Sequence, residues 1–441
     1  MKQQNLLHNF LKYVSLNVAG MVGLSCYILA DTFFVANRLG EDGLASLNLA
    51  ISLYSVLNAV GLMLGIGGAT RYAVLRARGD TRQAGRVFTH TLLLAGAAAL
   101  LFLAAGLFFS RPLASLLGAD AQTLDMTAVY LQTLFCFSPC FLLNNLILAF
   151  TRNDGRPRLA MAAMLLGSFS NILLDYLFLY PLGWGMFGAA FATGLAPVIS
   201  LALLSVQFVK RKNGFRPSKE AFSLREAGRI CALGGASFVT ELSSGAALMV
   251  FNRVILSLEG NRGVAAYGIV ANLALVAVAV FVGISQGMQP LISRSRGMGD
   301  GGAMKRVLRY GAAGCLGMAV LLLAVVVCFA QPLAGVFNRD GVQALESLAV
   351  RGLRLYFPGF LFAGVNIAAA SFFSSAELPK TGLLLSLLRG FGAILPAVLL
   401  LSALLGMDGV WLSFPCAEAV TLLAGAFCLR RAGKKGLFRS A

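Results

Sequence analysis

Apolar runs long enough to cross a bilayer recur along this whole chain, with little sequence left between them. Inside hydrocarbon every backbone N–H and C=O must be satisfied by the protein itself, so only helices and closed barrels can span it. A barrel would show segments of about ten residues in polar–apolar alternation, and that alternation is absent here. A helical span needs roughly 20 predominantly apolar residues. Twelve such spans are expected, at 13–36, 47–70, 88–109, 127–150, 159–180, 187–209, 231–257, 264–292, 310–330, 355–375, 383–405 and 410–429. The chain is 58% hydrophobic and 12% charged, against about 25% charged in soluble domains. Every connecting segment is too short for a soluble domain. The fold class is therefore an all-α polytopic membrane protein.

A net charge of +18 would ordinarily raise the question of nucleic acid, and its distribution answers it. With an even number of spans both tails share a side, and 29 Lys and Arg fall on that side, in the tails and in the loops near Arg71–Arg86, Arg152–Arg158, Lys210–Arg229, Arg294–Arg309 and Lys380–Arg389. Six fall opposite: Arg38, Arg111, Arg262, Arg339, Arg351 and Arg354. Basic residues mark the cytoplasmic face, so both termini are expected there, in the cell (plasma or inner) membrane. The runs 210-KRKNGFRPSK and 430-RRAGKK read as topology signals, because no dedicated basic domain accompanies them. No cleavable leader is evident at the N-terminus. His90 reads as a solvated histidine at the cytoplasmic interface. The eight cysteines lie in or at apolar spans with no CxxC pair. They read as small packing residues, with no disulfide framework, metal cluster or cofactor implied.

The chain also repeats itself. The segment 65-GIGGATRYAVLRARGD lies beside 283-GISQGMQPLISRSRG at a shift of 218, pairing Gly79 with Gly297. At 220, 39-LGEDGLAS meets 259-EGNRGVAA, pairing Gly40 with Gly260 and Gly43 with Gly263. At 222, Pro157 meets Pro379. An offset near 220 maps the first six spans onto the last six in the same direction. That is a parallel repeat of the kind found in transporters that bind substrate near the midplane. The expected organisation is an N-terminal six-helix lobe at 1–209, a basic cytoplasmic linker at 210–230, a C-terminal six-helix lobe at 231–429 and a basic tail at 430–441.

Four carboxylates sit within the spans: Asp31, Asp175, Glu241 and Glu418. A charge in hydrocarbon costs several kcal/mol, and such groups commonly line an ion or substrate path. No Lys or His accompanies them in the span centres and only Arg253 lies clearly within a span, so the interior reads as acidic and suited to cations. At about 1.5 Å per residue, Asp31 and Asp175 lie about 10 Å below the outer face. Asn171, one turn before Asp175, shares its helix face. Ala189 and Thr193 on the sixth span reach a similar depth. Two carboxylates with an amide and a hydroxyl suit a hard cation such as Na+, and two adjacent acids also suit a proton. Glu241 and Asn366 are both central in their spans and are expected to line the C-terminal half of a cavity. Glu418, after Pro415, is placed by depth alone.

These residues resemble the multidrug and toxic compound extrusion (MATE) transporters, in the bacterial efflux branch. The motifs that carry the resemblance are 31-DTFFVANRLG, 151-TRNDGRPRLAM, 171-NILLD, 283-GISQGMQPLIS and 378-LPKTGLLLSLLRG, and it extends from the first span to the last. The resemblance implies two six-helix lobes around a central cavity and expulsion of drugs in exchange for Na+ or H+. It implies an ion site at Asp31, Asn171, Asp175, Ala189 and Thr193, and cavity residues at Asn145, with Asn144 beside it, and at Glu241. The family's tenth-span Asp is Asn366 here, and the proline that bends the first span in some relatives is Leu16, so neither a second acidic site nor that bend is transferred. The expected function is a cation-coupled antiporter, acting as a monomer, for amphipathic and mostly cationic organic compounds. A lipid-linked saccharide flippase of the same superfamily is the alternative. Extra spans and a basic cavity for phosphate would mark it, whereas twelve spans and an acidic interior mark the exporter. A membrane enzyme would need a nucleophile–base or His/Cys cluster within the spans, and none is seen.

Overall fold

The computed structural model describes residues 3–219, 221–337 and 343–439, which are helical with no strand among them. Among the described residues, nine helices are long and apolar enough to cross a membrane, and the bent pair Leu124–Cys136 and Ser138–Asn153 makes a tenth. Two of these are double. Gln3–Ala77 breaks at Gly40 (φ 68°, ψ −156°), and Leu224–Gly297 breaks at Gly260 (φ 62°, ψ −154°). The spans are thus α1 (3–39), α2 (41–77), α3 (Thr81–Leu116), α4 (124–153), α5 (Pro157–Leu179), α6 (Gly185–Val209), α7 (224–259), α8 (261–297), α9 (Gly301–Phe337), α10 (343–375), α11 (379–405) and α12 (Met407–Lys434). The loop Asn338–Gly341, with Arg339, lies outside the described residues.

Several expected boundaries shift, each for a local reason. The loops expected between the first two spans and between the seventh and eighth shrink to a single non-helical residue each. Positive φ disfavours a Cβ by roughly 1–2 kcal/mol, so glycine makes this one-residue break possible. The fourth span bends by 51° at Phe137. Pro139, two residues on, has no N–H to continue the helix ladder. The tenth starts earlier than expected, as Gln343–Tyr356, a 3₁₀ turn at Phe357–Gly359, then Phe360–Ser375. The eleventh contains a π-helical turn, Leu388–Ala393, between Pro379–Leu387 and Ile394–Leu405.

The internal repeat is written into the backbone, in a slightly different register from the one the side chains suggest. Gly79 and Gly299 both take positive φ (87° and 71°). The next residue caps the following helix in each half: Asp80 Oδ1 accepts from Gln83 N–H at 2.9 Å, and Asp300 Oδ1 from Ala303 N–H at 2.7 Å. The chain-reversing bonds also correspond, Asp80 N–H to Leu75 O and Asp300 N–H to Ser295 O. Gly79 therefore pairs with Gly299 at an offset of 220, and not with Gly297, which still belongs to the α8 helix. Further along, Arg156 (φ −121°, ψ 57°) and Leu378 (φ −116°, ψ 59°) precede Pro157 and Pro379 in matching conformations.

The chain divides into two compact units, Ala19–Glu241 and Met1–Val18 with Leu242–Ala441. Within the first, α2 meets the beginning of α7 at near-backbone contact. A Cβ on Gly234 would lie 1.8 Å from Met63 O, and one on Gly67 would lie 2.0 Å from Ile230 O. The second unit repeats this arrangement with α8 against the beginning of α1, where a Cβ on Gly287 would fall 2.7 Å from Val14 Cα.

The basic linker is tied down within the 19–241 unit. Phe215 is fully buried and packs with Phe88, Phe150 and Phe208, ring centroids 5.0, 5.5 and 5.5 Å apart. Asp154 accepts from Arg76, from Tyr72 Oη at 2.9 Å and from Gly214 N–H at 2.8 Å. His90 is fully buried and not solvated as expected. Its Nε2 accepts from Ser223 N–H at 2.8 Å, and its ring stacks on Phe222. At the other end of this unit, Arg38 Nε donates to Leu179 O at 3.2 Å, tying the end of α1 to that of α5. Nearby, Thr123 donates both its backbone N–H and its hydroxyl to Asp120, which holds that carboxyl below the usual range.

Candidate functional site

The acids of α1 and α5 come together. Asp31, Asn171, Asp175, Ala189 and Thr193 are all buried. Asn171 and Asp175, four apart on α5, share one face. With its amide oriented to satisfy both neighbours, Asn171 donates to Asp175 Oδ2 at 3.0 Å and accepts from Thr193 N–H at 3.2 Å. Pro197 lies four residues after Thr193 and has no N–H, so the Thr193 carbonyl loses its helical donor. Asp31 and Asp175 interact electrostatically, and each leaves one buried oxygen, Oδ1, with no hydrogen-bond partner among the described residues. Tyr130 on α4 interacts with both acids and shares a hydrogen bond with Thr193.

This donor set fits a cation. Buried polar atoms are nearly always hydrogen-bonded, so two interacting acids that each keep an oxygen without a partner among the described residues could hold a positive ligand. Two carboxylates, a hydroxyl and a freed carbonyl are hard oxygen ligands of the kind Na+ accepts. The same pair of acids can instead hold a proton, because like charges at close range resist full ionisation.

A second polar group lies in the same unit. Asn145 on α4 donates to Asn58 Oδ1 on α2 at 3.1 Å, and Asn58 donates to Glu241 Oε1 at 2.9 Å. Glu241 is half-buried, and Asn144, next to Asn145, has a buried Oδ1 with no partner among the described residues. Glu241 thus faces amides of α2 and α4 within the 19–241 unit. Glu241→Gln keeps the shape of the side chain and removes its capacity to carry charge. Transport of a cationic and of a neutral compound, measured in parallel, therefore separates two roles for Glu241: a larger loss for the cation marks a charge-binding residue, and an equal loss marks a structural one.

Asn366 lies instead with Glu418. Its Nδ2 donates to Glu418 Oε2 at 2.7 Å and to the Glu418 carbonyl at 2.8 Å. The remaining oxygen, Oε1, accepts from Arg389 Nε at 2.6 Å. Arg389 was expected among the basic residues of the cytoplasmic loop, but it lies in the π-helical turn inside α11. Arg253 is thus not the sole base within a span, and the cytoplasmic group loses one member. Spacing held the signal: Arg389 is ten residues past Pro379, well inside an apolar stretch. Tyr27 carried a comparable signal, one turn before Asp31. Its hydroxyl lies 3.4 Å from that of Tyr54 on α2. Asn58 and Tyr130 are lone polar residues whose partners come from other helices, so no local pattern marks them.

Among known proteins, a sequence model of the MatE family matches residues 18–177 and again 236–399. The two matches begin 218 residues apart and end 222 apart, the spacing of the internal repeat. Multidrug export protein MepA of Staphylococcus aureus (strain MRSA252) is 24% identical over 405 residues, 90% of this chain and 88% of that protein. The protein of the same name from Staphylococcus saprophyticus is 24% identical over 408 residues, again 90% of this chain and 88% of that one. A solved structure of a MATE in complex with MaL6 superimposes with a TM-score of 0.92 at 23% identity, covering 99% of both chains. An outward-facing multidrug resistance MATE transporter of the MOP superfamily does so at 0.90, with the same identity and coverage. Twelve helices in two repeated halves, matched at this spacing and over this length, place the chain in the MatE family: it is a polytopic membrane transporter and not an enzyme.

Proposed function

We propose that this transporter exports amphipathic, mostly cationic organic compounds and drugs in exchange for Na+ or H+, by alternating access of two six-helix lobes. The carrying observation is the pair of buried carboxylates, Asp31 and Asp175, each with an oxygen that no group among the described residues satisfies. The coupling ion fills that site, with Asn171 and Thr193 orienting it. Glu241, Asn145 and Asn144 hold the charged or polar part of the substrate, while apolar helix faces hold the rest. Relatives named as multidrug export proteins support the substrate class. The lobes correspond to 1–209 and 231–429, joined by the cytoplasmic linker 210–230, in a monomer whose termini both face the cytoplasm of a cell (plasma or inner) membrane.

The mechanism follows from linkage. An ion that binds one conformation better than another shifts the equilibrium only by its differential affinity. A cation held between two acids inside hydrocarbon supplies a large differential term, because the pair resists ionisation without one. Uptake of a fluorescent organic cation into inside-out vesicles, driven separately by a Na+ and a proton gradient, tests the proposal. One imposed gradient should drive accumulation severalfold above the level without it. Equal accumulation with and without either gradient would contradict ion coupling.

A further inference from the structure

The Arg389–Glu418–Asn366 cluster has no part in the mechanism above, and its chemistry differs from that of the Asp31–Asp175 site. At 1.5 Å per residue, Arg389 lies about 15 Å into α11 and Glu418 about 16 Å into α12. Both are near the middle of a hydrocarbon layer about 30 Å thick. Glu418 and Asn366 are buried, 2% and 3% exposed. Each oxygen of the Glu418 carboxylate has its own donor, Arg389 Nε at 2.6 Å and Asn366 Nδ2 at 2.7 Å. The π-helical turn Leu388–Ala393 carries the guanidinium, and such turns are often found at functional positions. Of the other titratable groups nearby, Tyr356 interacts with Glu418, Arg389 and Tyr267.

A carboxylate at that depth requires a positive partner: a proton, a metal ion or a basic side chain. The Asp31–Asp175 site leaves oxygens open and so calls for a mobile cation, whereas Glu418 has both oxygens satisfied by the chain itself. We propose that Arg389 is a tethered cation, holding the Glu418–Asn366 site closed to free ions, so that the transporter takes up coupling ions through one site alone. The inference rests on the reading of Asp31 and Asp175 as the coupling site. Removing the guanidinium would then convert Glu418 and Asn366 into a second site for Na+ or H+.

Binding of radioactive sodium and uptake of protons, counted per chain on the purified full-length protein, tests this. The background is Asp31→Asn with Asp175→Asn, which is expected to bind no cation. Adding Arg389→Gln should raise the count from none to one. Adding Glu418→Gln as well should return it to none, and Arg389→Lys should leave it at none. No gain with Arg389→Gln would overturn the proposal. So would a cation bound in the background protein and lost on Glu418→Gln. Losing one member of a buried pair is strongly destabilising, so Arg389→Gln risks misfolding. The wild-type count needs no substitution at the pair: one cation per chain supports the proposal, and two overturns it. If the Asp31–Asp175 reading itself fails, wild type and background bind equally, and the gain from Arg389→Gln is still read against that baseline.

Discussion

Asp31→Asn combined with Asp175→Asn is expected to abolish gradient-driven export while the protein still inserts and folds. The neutral amides are easier to bury than the charges they replace, and the site keeps its shape because Asn and Asp are nearly isosteric. Coupling energies between ion and substrate sites are typically about 1–3 kcal/mol, or 5–150-fold. Losing both charges should remove that whole factor. Either single substitution should remove most of it, since Asp31 and Asp175 each present an unpartnered oxygen. Thr193→Ala deletes one neutral hydroxyl, a loss of about 1 kcal/mol or roughly fivefold. Vesicle transport rates at matched expression give the ordering, and a Thr193→Ala defect as large as the double Asn defect would contradict it.

Asp154→Ala is expected to cause the largest loss of stability. The side chain is 1% exposed and accepts from Arg76, Tyr72 and Gly214 N–H at once. Removing it takes a partner from three donors, one of them a guanidinium that is 44% exposed and so partly satisfied by water. A buried donor left unsatisfied, as at Tyr72, costs about 1–3 kcal/mol. Because Gly214 is one residue before the buried Phe215, the linker should loosen as well. Thermal unfolding in detergent should shift down by several degrees, and limited proteolysis should begin to cut within 210–223. Asp154→Asn should be milder, because its amide oxygen still accepts from Gly214. An unchanged melting temperature in Asp154→Ala would mean the linker is held by Phe215 and its aromatic neighbours alone.

Much of the fold was legible because the bilayer permits so few solutions. The twelve spans follow from apolar length alone, and the repeat announced itself in Gly40 with Gly260 and Pro157 with Pro379. These are positions where backbone geometry, and not side-chain packing, selects the residue. The register near Gly79 misled for a related reason. Matching letters at Gly297 outweighed the conformational role, which belongs to Gly299. At the proposed ion site, Asp31, Asn171, Asp175 and Thr193 could be grouped from depth and helix periodicity, since each has a measurable distance to a span end.

What was not legible depends on which helices touch. Glu241 and Asn366 are both central in their spans, yet one meets Asn58 and the other meets Glu418. Depth places a residue along the membrane normal and says nothing of its lateral neighbours. Arg389 was hidden by a rule of thumb, since a base near a basic loop is counted with that loop. Its partner Glu418 offers only its depth in the sequence, and each charge explains the other. His90 likewise reads as solvated from its position near a loop, because nothing local signals that the linker folds back over it.

The reciprocal effect of ion and substrate on each other's affinity tests the central claim most directly. Linkage requires that the factor by which the ion changes substrate affinity equal the factor by which the substrate changes ion affinity. Both can be titrated on the purified protein, with an organic cation as substrate and Na+ or pH as the varied ion. The account predicts one common factor, at least fivefold, that falls to unity in the Asp31→Asn, Asp175→Asn variant. A substrate affinity that does not respond to either ion in the wild type, or a factor that survives intact in the variant, would contradict it.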